Sequence, residues 1–179
     1  EDVKKKQRIF LSGRKIRSMD LAQLSAIGVK KIKVFKKIRV GIFSTGDELC
    51  EFPKKKSKYE IYDANKLVLV SLFKKIGCEV NDLGIIKDNY SETKKLILNK
   101  IKSLDVIITS GGISKSKTDK IGKFFENNAQ IKFWRLSIKP GRPFAFGKIK
   151  NTAFIGLPGN PVAAIITFFM LVIDYIKVL

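Results

Sequence analysis

The chain has 179 residues, 36 of them Lys or Arg against 16 Asp or Glu, giving a formal charge of +20, and it contains no histidine. Without histidine, Ser–His–Asp and Cys–His catalysis and His-ligated zinc are excluded within these residues. The only cysteines, Cys50 and Cys78, fit no metal-ligand spacing or disulfide framework and suit a reducing, cytoplasmic setting. Only six of the basic residues are arginine, and the lysines are scattered without regular aromatic interleaving. The charge therefore predicts a solvated surface that attracts small anions, rather than a nucleic-acid groove.

Residues 1–37 differ from the rest. A turn at Ser12-Gly13 precedes a short helix over 21–27, opened by Ser18-Met19-Asp20 and stopped by Gly28; alternation over 31–35 then predicts a strand. The segment has few large apolar residues, so it reads as a short α+β remnant of another domain. From residue 38 the rhythm changes. IRVGIFS (38–44) predicts a strand, and a lysine-rich loop containing Pro53 follows. Residues 65–76 are apolar at helical spacing and end at Gly77. Strand 79–86 and helix 91–101 come next. DVIIT (105–109) is a short unbroken apolar run, as expected of a central parallel strand covered on both faces. Residues 119–127 predict a helix, 131–138, 143–146 and 153–155 strands, and 161–178 a closing helix. The apolar run 162–173 is too short to span a bilayer, which needs roughly 20 residues, and predicts a core helix with no membrane partner. The order over 38–179 is that of an α/β domain with a mostly parallel sheet.

Ligands of such sheets bind at the carboxyl ends of the strands, which directs attention to five loops. Ser110-Gly111-Gly112-Ile113-Ser114 offers close backbone amides and hydroxyls to an anion; an ordinary strand-to-helix turn explains it equally well, and neither a Walker A nor a G-x-G-x-x-G pattern is present. Thr45-Gly46-Asp47-Glu48 places two acids at a strand end, where a metal or a polar ring edge would suit them; a turn with a helix cap is the plain alternative. Asp63 or Asn65 is sufficient as a helix cap. With Ser91 as cap of the next helix, Asp88 is left for other work, and Asp119 sits where a helix dipole favours a carboxylate. Lys139-Pro140-Gly141-Arg142-Pro143 holds two cations in a proline-stiffened loop suited to phosphate. Gly156-Leu157-Pro158-Gly159-Asn160-Pro161 is a strong helix start, with Asn160 as cap and free amides before it.

Taken together, VGIFSTGDEL (40–49), YDAN (62–65), LGIIKDN (83–89), ITSGGIS with Asp119 (108–119), IKPGRPFAFG (138–147) and GLPGNP (156–161) resemble the molybdopterin molybdotransferases, to which gephyrin's E domain also belongs. The resemblance implies a three-layer α/β fold over residues 38–179, with 1–37 as the tail of the family's first domain. It implies insertion of molybdate into adenylylated molybdopterin with release of AMP, assisted by Mg2+, in a protein that is a homodimer at full length. By position, Glu48, Asp88 and Asp119 become the functional carboxylates, with Asp88 and Asp119 as metal ligands. Thr45, Gly46, Asp47, Ser110, Gly111, Gly112, Ser114, Arg135, Lys139, Gly141, Arg142, Pro158, Gly159 and Asn160 become substrate contacts. Two positions depart from the family pattern: Ser116 stands where a glycine is usual, and Asn89 where a second aspartate is frequent. Molybdopterin adenylyltransferase, whose loop reads T-G-G-T-G, and a non-catalytic scaffold module are the alternatives.

Overall fold

A computed structural model describes residues 3–113 and 120–179. The chain forms two compact units, residues 1–36 and 37–179. The first contains one helix, α1 (Ser18–Ala26). Asp20 anchors it: the carboxylate accepts from the Arg14 guanidinium at 2.6 Å and from the Arg17 amide at 2.9 Å, and the Arg14 bond above all holds this carboxyl below its ordinary range. The strand expected over 31–35 is absent, since those residues pair in no ladder and Ile32, Val34 and Phe35 are exposed. Alternation supplies a face, but a strand also needs a neighbour to take its amides.

The second unit is a three-layer α/β sandwich. Its strands are β1 (Arg39–Thr45), β4 (Glu79–Ile86), β5 (Val106–Ser110), β6 (Gln130–Arg135), β7 (Pro143–Ile149) and β8 (Thr152–Leu157), in the order β4-β1-β5-β8-β7-β6. The pairs β4–β1, β1–β5 and β5–β8 are parallel, and β7 runs antiparallel to both its neighbours. Val40 and Ile42 of β1, with Val106 and Ile108 of β5, face α2 (Ala64–Lys75) and the closing helix; Phe43, Ile107 and Phe154 face α3 (Tyr90–Lys100) and α4 (Lys120–Asn128). The unbroken apolar runs are thus explained by burial on both faces. A small parallel ladder, β2 (Leu49–Cys50) with β3 (Ile61–Tyr62), lies within the segment expected to be loop.

The closing helix is α5 (Pro161–Thr167), a π-helical stretch Phe168–Val172, and α6 (Ile173–Val178). Asn160 caps it, accepting from the Ala163 amide at 3.1 Å, with Pro161 in the first turn. The stretch Pro161–Val178 has a mean hydropathy of 1.9 over 18 residues and, by length and composition alone, is long enough to cross a membrane. That corrects the length argument from sequence. Burial is also narrower than expected: only a third of the stretch is covered, with Ala164, Phe168, Val172 and Ile176 in the core while Phe169 and Met170 are exposed.

Candidate functional site

Because α2, which follows β1, covers one face of the sheet and α4, which follows β5, covers the other, the chain leaves the carboxyl ends of β1 and β5 toward opposite faces. The carboxyl ends of β1 and β5 are therefore a topological switch point, where a crevice is expected. A cavity of about 600 Å3 opens there, lined by Thr45–Leu49, Ile61–Asn65, Asp88, Ser110–Ile113, Pro143, Gly159 and Pro161.

Its walls are braced by short polar contacts. Beyond Thr45 the chain turns at Gly46 (φ 153°), and a methyl group there would lie 2.7 Å from the Glu48 carboxylate oxygens, so that carboxylate folds over the turn. Asp47 is occupied within the fold: its Oδ1 accepts from the Asp88 amide at 3.0 Å. Lys87 donates from Nζ to the carbonyls of Asp47 (2.7 Å) and Leu49 (3.2 Å). The Ile61 amide donates to the Glu48 carbonyl at 2.8 Å and the Asp63 amide to that of Cys50 at 3.1 Å, pinning β3 beside β2. Deeper in, Lys66, buried at 6% exposure, donates to Glu51 and, at 3.2 Å, pairs with Asp82, joining the acid-bearing loop to α2 and β4. Burial opposes its charge, yet the bonds to Glu51 and Asp82 raise its pKa.

Gly111 (φ +85°) and Gly112 (φ +62°) are needed twice over. Both backbones are left-handed, and an added Cβ would lie 2.9 Å from the Thr45 carbonyl oxygen at position 111 and 2.5 Å from Thr45 Oγ1 at position 112. Ile113 closes the described part of this loop, and its carbonyl accepts from the indole N–H of Trp134 at 3.1 Å. Asn65 donates from Nδ2 to Ser110 Oγ and to the Gly159 carbonyl, each at 2.7 Å, tying the end of β5 to the loop before α5. Four buried side-chain atoms lack a hydrogen-bond partner among the described residues: Ser44 Oγ, Thr45 Oγ1, Asp63 Oδ2 and Asn65 Oδ1. Three of the four belong to residues that line the cavity.

Of the residues singled out from sequence, Thr45, Gly46, Asp47, Glu48, Asp88, Ser110, Gly111, Gly112 and Gly159 line the cavity. Ser114 and Asp119 lie outside the described residues. Pro158 is buried behind the lining, and Asn160 is engaged as a cap. Arg135, Lys139 and Arg142 are exposed and not among the lining residues, although Arg142 directly precedes Pro143, which is. Gly141 packs near Ile138 and Thr167. The described lining thus carries four acids, Asp47, Glu48, Asp63 and Asp88, and no base. Tyr62, Asp63 and Asn65 were not singled out as contacts; the YDAN stretch that contains them was the available signal. Asn89, not Ser91, caps α3, accepting from the Ser91 amide at 2.9 Å and the Glu92 amide at 3.2 Å. Asparagine and aspartate cap equally well, so the departure at position 89 leaves the helix start intact.

Residues 41–178 match the family model described as probable molybdopterin binding domain. The chain belongs to this family of molybdopterin-binding domains. Among relatives, it is 42% identical over 172 residues to a molybdopterin molybdenumtransferase of Haemophilus influenzae, covering 96% of this chain and 43% of that protein. A molybdopterin molybdenumtransferase of Nostoc is 32% identical over 166 residues, covering 90% and 38%. Among solved structures, the molybdopterin biosynthesis MoeA protein of Pyrococcus horikoshii superposes with a TM-score of 0.83 at 31% identity, over 93% of this chain and 41% of that one. The chain spans less than half the length of these relatives.

Proposed function

We propose that this molybdopterin-binding domain holds adenylylated molybdopterin for molybdate insertion and AMP release, as part of a molybdopterin molybdotransferase. The observation that carries the reading is convergence: the TGDE, YDAN, KDN, SGG and GNP stretches, far apart in sequence, meet at one cavity at the switch point of the sheet. An enzyme that brings an oxyanion to a pyrophosphate must offset their repulsion. The glycine loop would do so with backbone amides, and Arg142, Lys139 and Arg135, outside the lining, with longer-range charge.

The donor set fits Mg2+. Asp88, with Asp119 as its proposed companion, offers hard carboxylate oxygen. Among the described residues no three acidic side chains are grouped closely enough to cage an ion, and Mg2+ is commonly held by one or two carboxylates with water and phosphate completing its shell. Bound there, the ion would neutralise charge on the phosphoanhydride. Glu48, whose carboxylate lies over Gly46 in the cavity lining, would orient water or a ligand hydroxyl, while Asp47 holds the Asp88 backbone. The chain's place in a longer cytoplasmic homodimer is part of the proposal. So is a core role for the closing helix, whose buried face shares one apolar cluster with β1, β5 and α2.

Titration calorimetry with AMP and molybdate, with and without Mg2+, tests the reading. The expected result is AMP binding strengthened by Mg2+, with that gain lost in Asp88→Asn and binding about ten-fold weaker in Glu48→Gln, as for loss of one charge-assisted contact. Absence of binding by either anion to the unaltered chain would sink the proposal.

A further inference from the structure

Tyr62 is held firmly and used by little. Its two-residue strand is fixed on both sides by the Ile61 and Asp63 amide bonds to Glu48 and Cys50. Yet the residue lines the cavity and is 43% exposed, and its hydroxyl makes no hydrogen bond among the described residues. The ring's aromatic neighbour is Phe52, edge-on at 5.9 Å and itself 77% exposed. A half-covered aromatic ring at a cavity wall offers a stacking face.

The next lining residues state what would stack there. Asp63 spends Oδ1 on capping α2, accepting from the Lys66 amide at 3.1 Å, and its buried Oδ2 has no partner among the described residues. Asn65 spends both Nδ2 hydrogens on Ser110 and Gly159, and its buried Oδ1 has no partner among them either. In the same cavity lining, the hydroxyl of Thr45, 5% exposed, is likewise unpartnered among the described residues. A buried acceptor without a donor is costly. Phosphate and molybdate oxygens are acceptors themselves and cannot satisfy Asp63 or Asn65. Ring amino and imino groups can.

We propose that Tyr62, Asp63 and Asn65 form the recess for the flat, N–H-bearing heteroaromatic ring of the ligand, with Tyr62 as stacking face and the two acceptor oxygens reading the ring edge. This rests on the pterin-nucleotide reading of the cavity and divides it: rings lie against the YDAN wall, oxyanions against the glycine loop. The ring can come from either half of the substrate, a pterin or an adenine, and separate ligands distinguish them.

The experiment measures dissociation constants of the 179-residue chain for three probes: AMP, 6-hydroxymethylpterin and the ring-free control ribose 5-phosphate. The variants are Tyr62→Ala, Tyr62→Phe and Asp63→Asn. Asp63→Asn preserves the helix cap, because asparagine caps as well as aspartate, and thermal melting confirms that each variant is folded. The expected result is a loss of about ten-fold for one ring-bearing probe in Tyr62→Ala, the size of one base–aromatic stack. Tyr62→Phe should restore it, Asp63→Asn should weaken the same probe, and ribose 5-phosphate should be unchanged. Loss for the pterin assigns the recess to the pterin; loss for AMP assigns it to adenine. Wild-type affinity for both ring probes in Tyr62→Ala and Asp63→Asn overturns the recess while leaving the parent reading standing, and so does an equal loss for ribose 5-phosphate. An unaltered chain that binds neither ring overturns both.

Discussion

The two ends of the same strands are built on opposite terms. At the amino rim, polar groups satisfy each other. Arg39 clasps Asp105 through its guanidinium (2.8 and 3.1 Å) and its own amide (2.8 Å). The Ala153 amide donates to the Asp105 carbonyl at 3.0 Å, and the buried Thr152 hydroxyl serves the carbonyls of Ile101 and Leu104. At the carboxyl rim, Thr45, Asp63 and Asn65 keep buried oxygens with no partner among the described residues, beside glycines in left-handed conformations. One rim spends its hydrogen-bonding capacity on the fold; the other, though braced through Asp47, Lys87 and the Asn65 amide, keeps several oxygens back. The contrast is what a ligand rim requires, because groups already paired inside the protein cannot also recognise something else.

Substitutions at matched positions can break that contrast. The largest effect is expected for Gly112→Ala, whose methyl group would meet Thr45 Oγ1 at 2.5 Å on a left-handed backbone. It should cost about 2–4 kcal/mol of stability and abolish AMP binding, read by denaturant unfolding and calorimetry. Next, Thr152→Val removes a hydroxyl that serves two carbonyls at the amino rim and should cost about 1–2 kcal/mol with ligand affinity unchanged. Its counterpart Thr45→Val removes a hydroxyl that serves nothing in the fold. Stability should stay within about 0.5 kcal/mol while affinity falls; the reverse pattern in this pair would destroy the comparison.

The smallest effect belongs to Asp105→Asn. The pair is partly exposed, so less than about 1 kcal/mol is expected at neutral pH. The sign of its pH dependence is fixed by the Arg39 guanidinium, which holds the Asp105 carboxyl below its ordinary value. Such a carboxylate stabilises the fold at pH above the ordinary value, near 3.8, and loses that contribution as pH falls through the folded-state value. The difference between Asp105→Asn and the unaltered chain in acid unfolding should therefore close below about pH 4.

What could be read from sequence follows from how local each signal is. Strand β4 has the bounds expected of it, and β1 and β5 shift by one residue, because turn and helix-stop residues on either side mark their limits. The Leu49–Cys50 ladder with Ile61–Tyr62 escaped because two residues have no period, and each partner lies twelve residues on. The strand expected at 31–35 failed for the converse reason, having a period and no partner. At the site, the loops were legible from the strand-end rule, but the division of labour within them was not. Nothing in the spacing says that Asp47 steadies the Asp88 backbone, that Asn65 rather than a cation bridges Ser110 and Gly159, or that Asp63 takes the cap position and leaves one oxygen over. Those assignments depend on angles between elements, which a one-dimensional pattern does not contain.

Trp134, the chain's one tryptophan, bonds through its indole to Ile113, the residue that ends the described glycine loop. Indole emission shifts with the polarity and hydrogen bonding of its surroundings, so this contact makes the protein its own optical indicator. A ligand settling against the glycine loop would then be read in a cuvette from the chain's own emission, with no label attached and no turnover required.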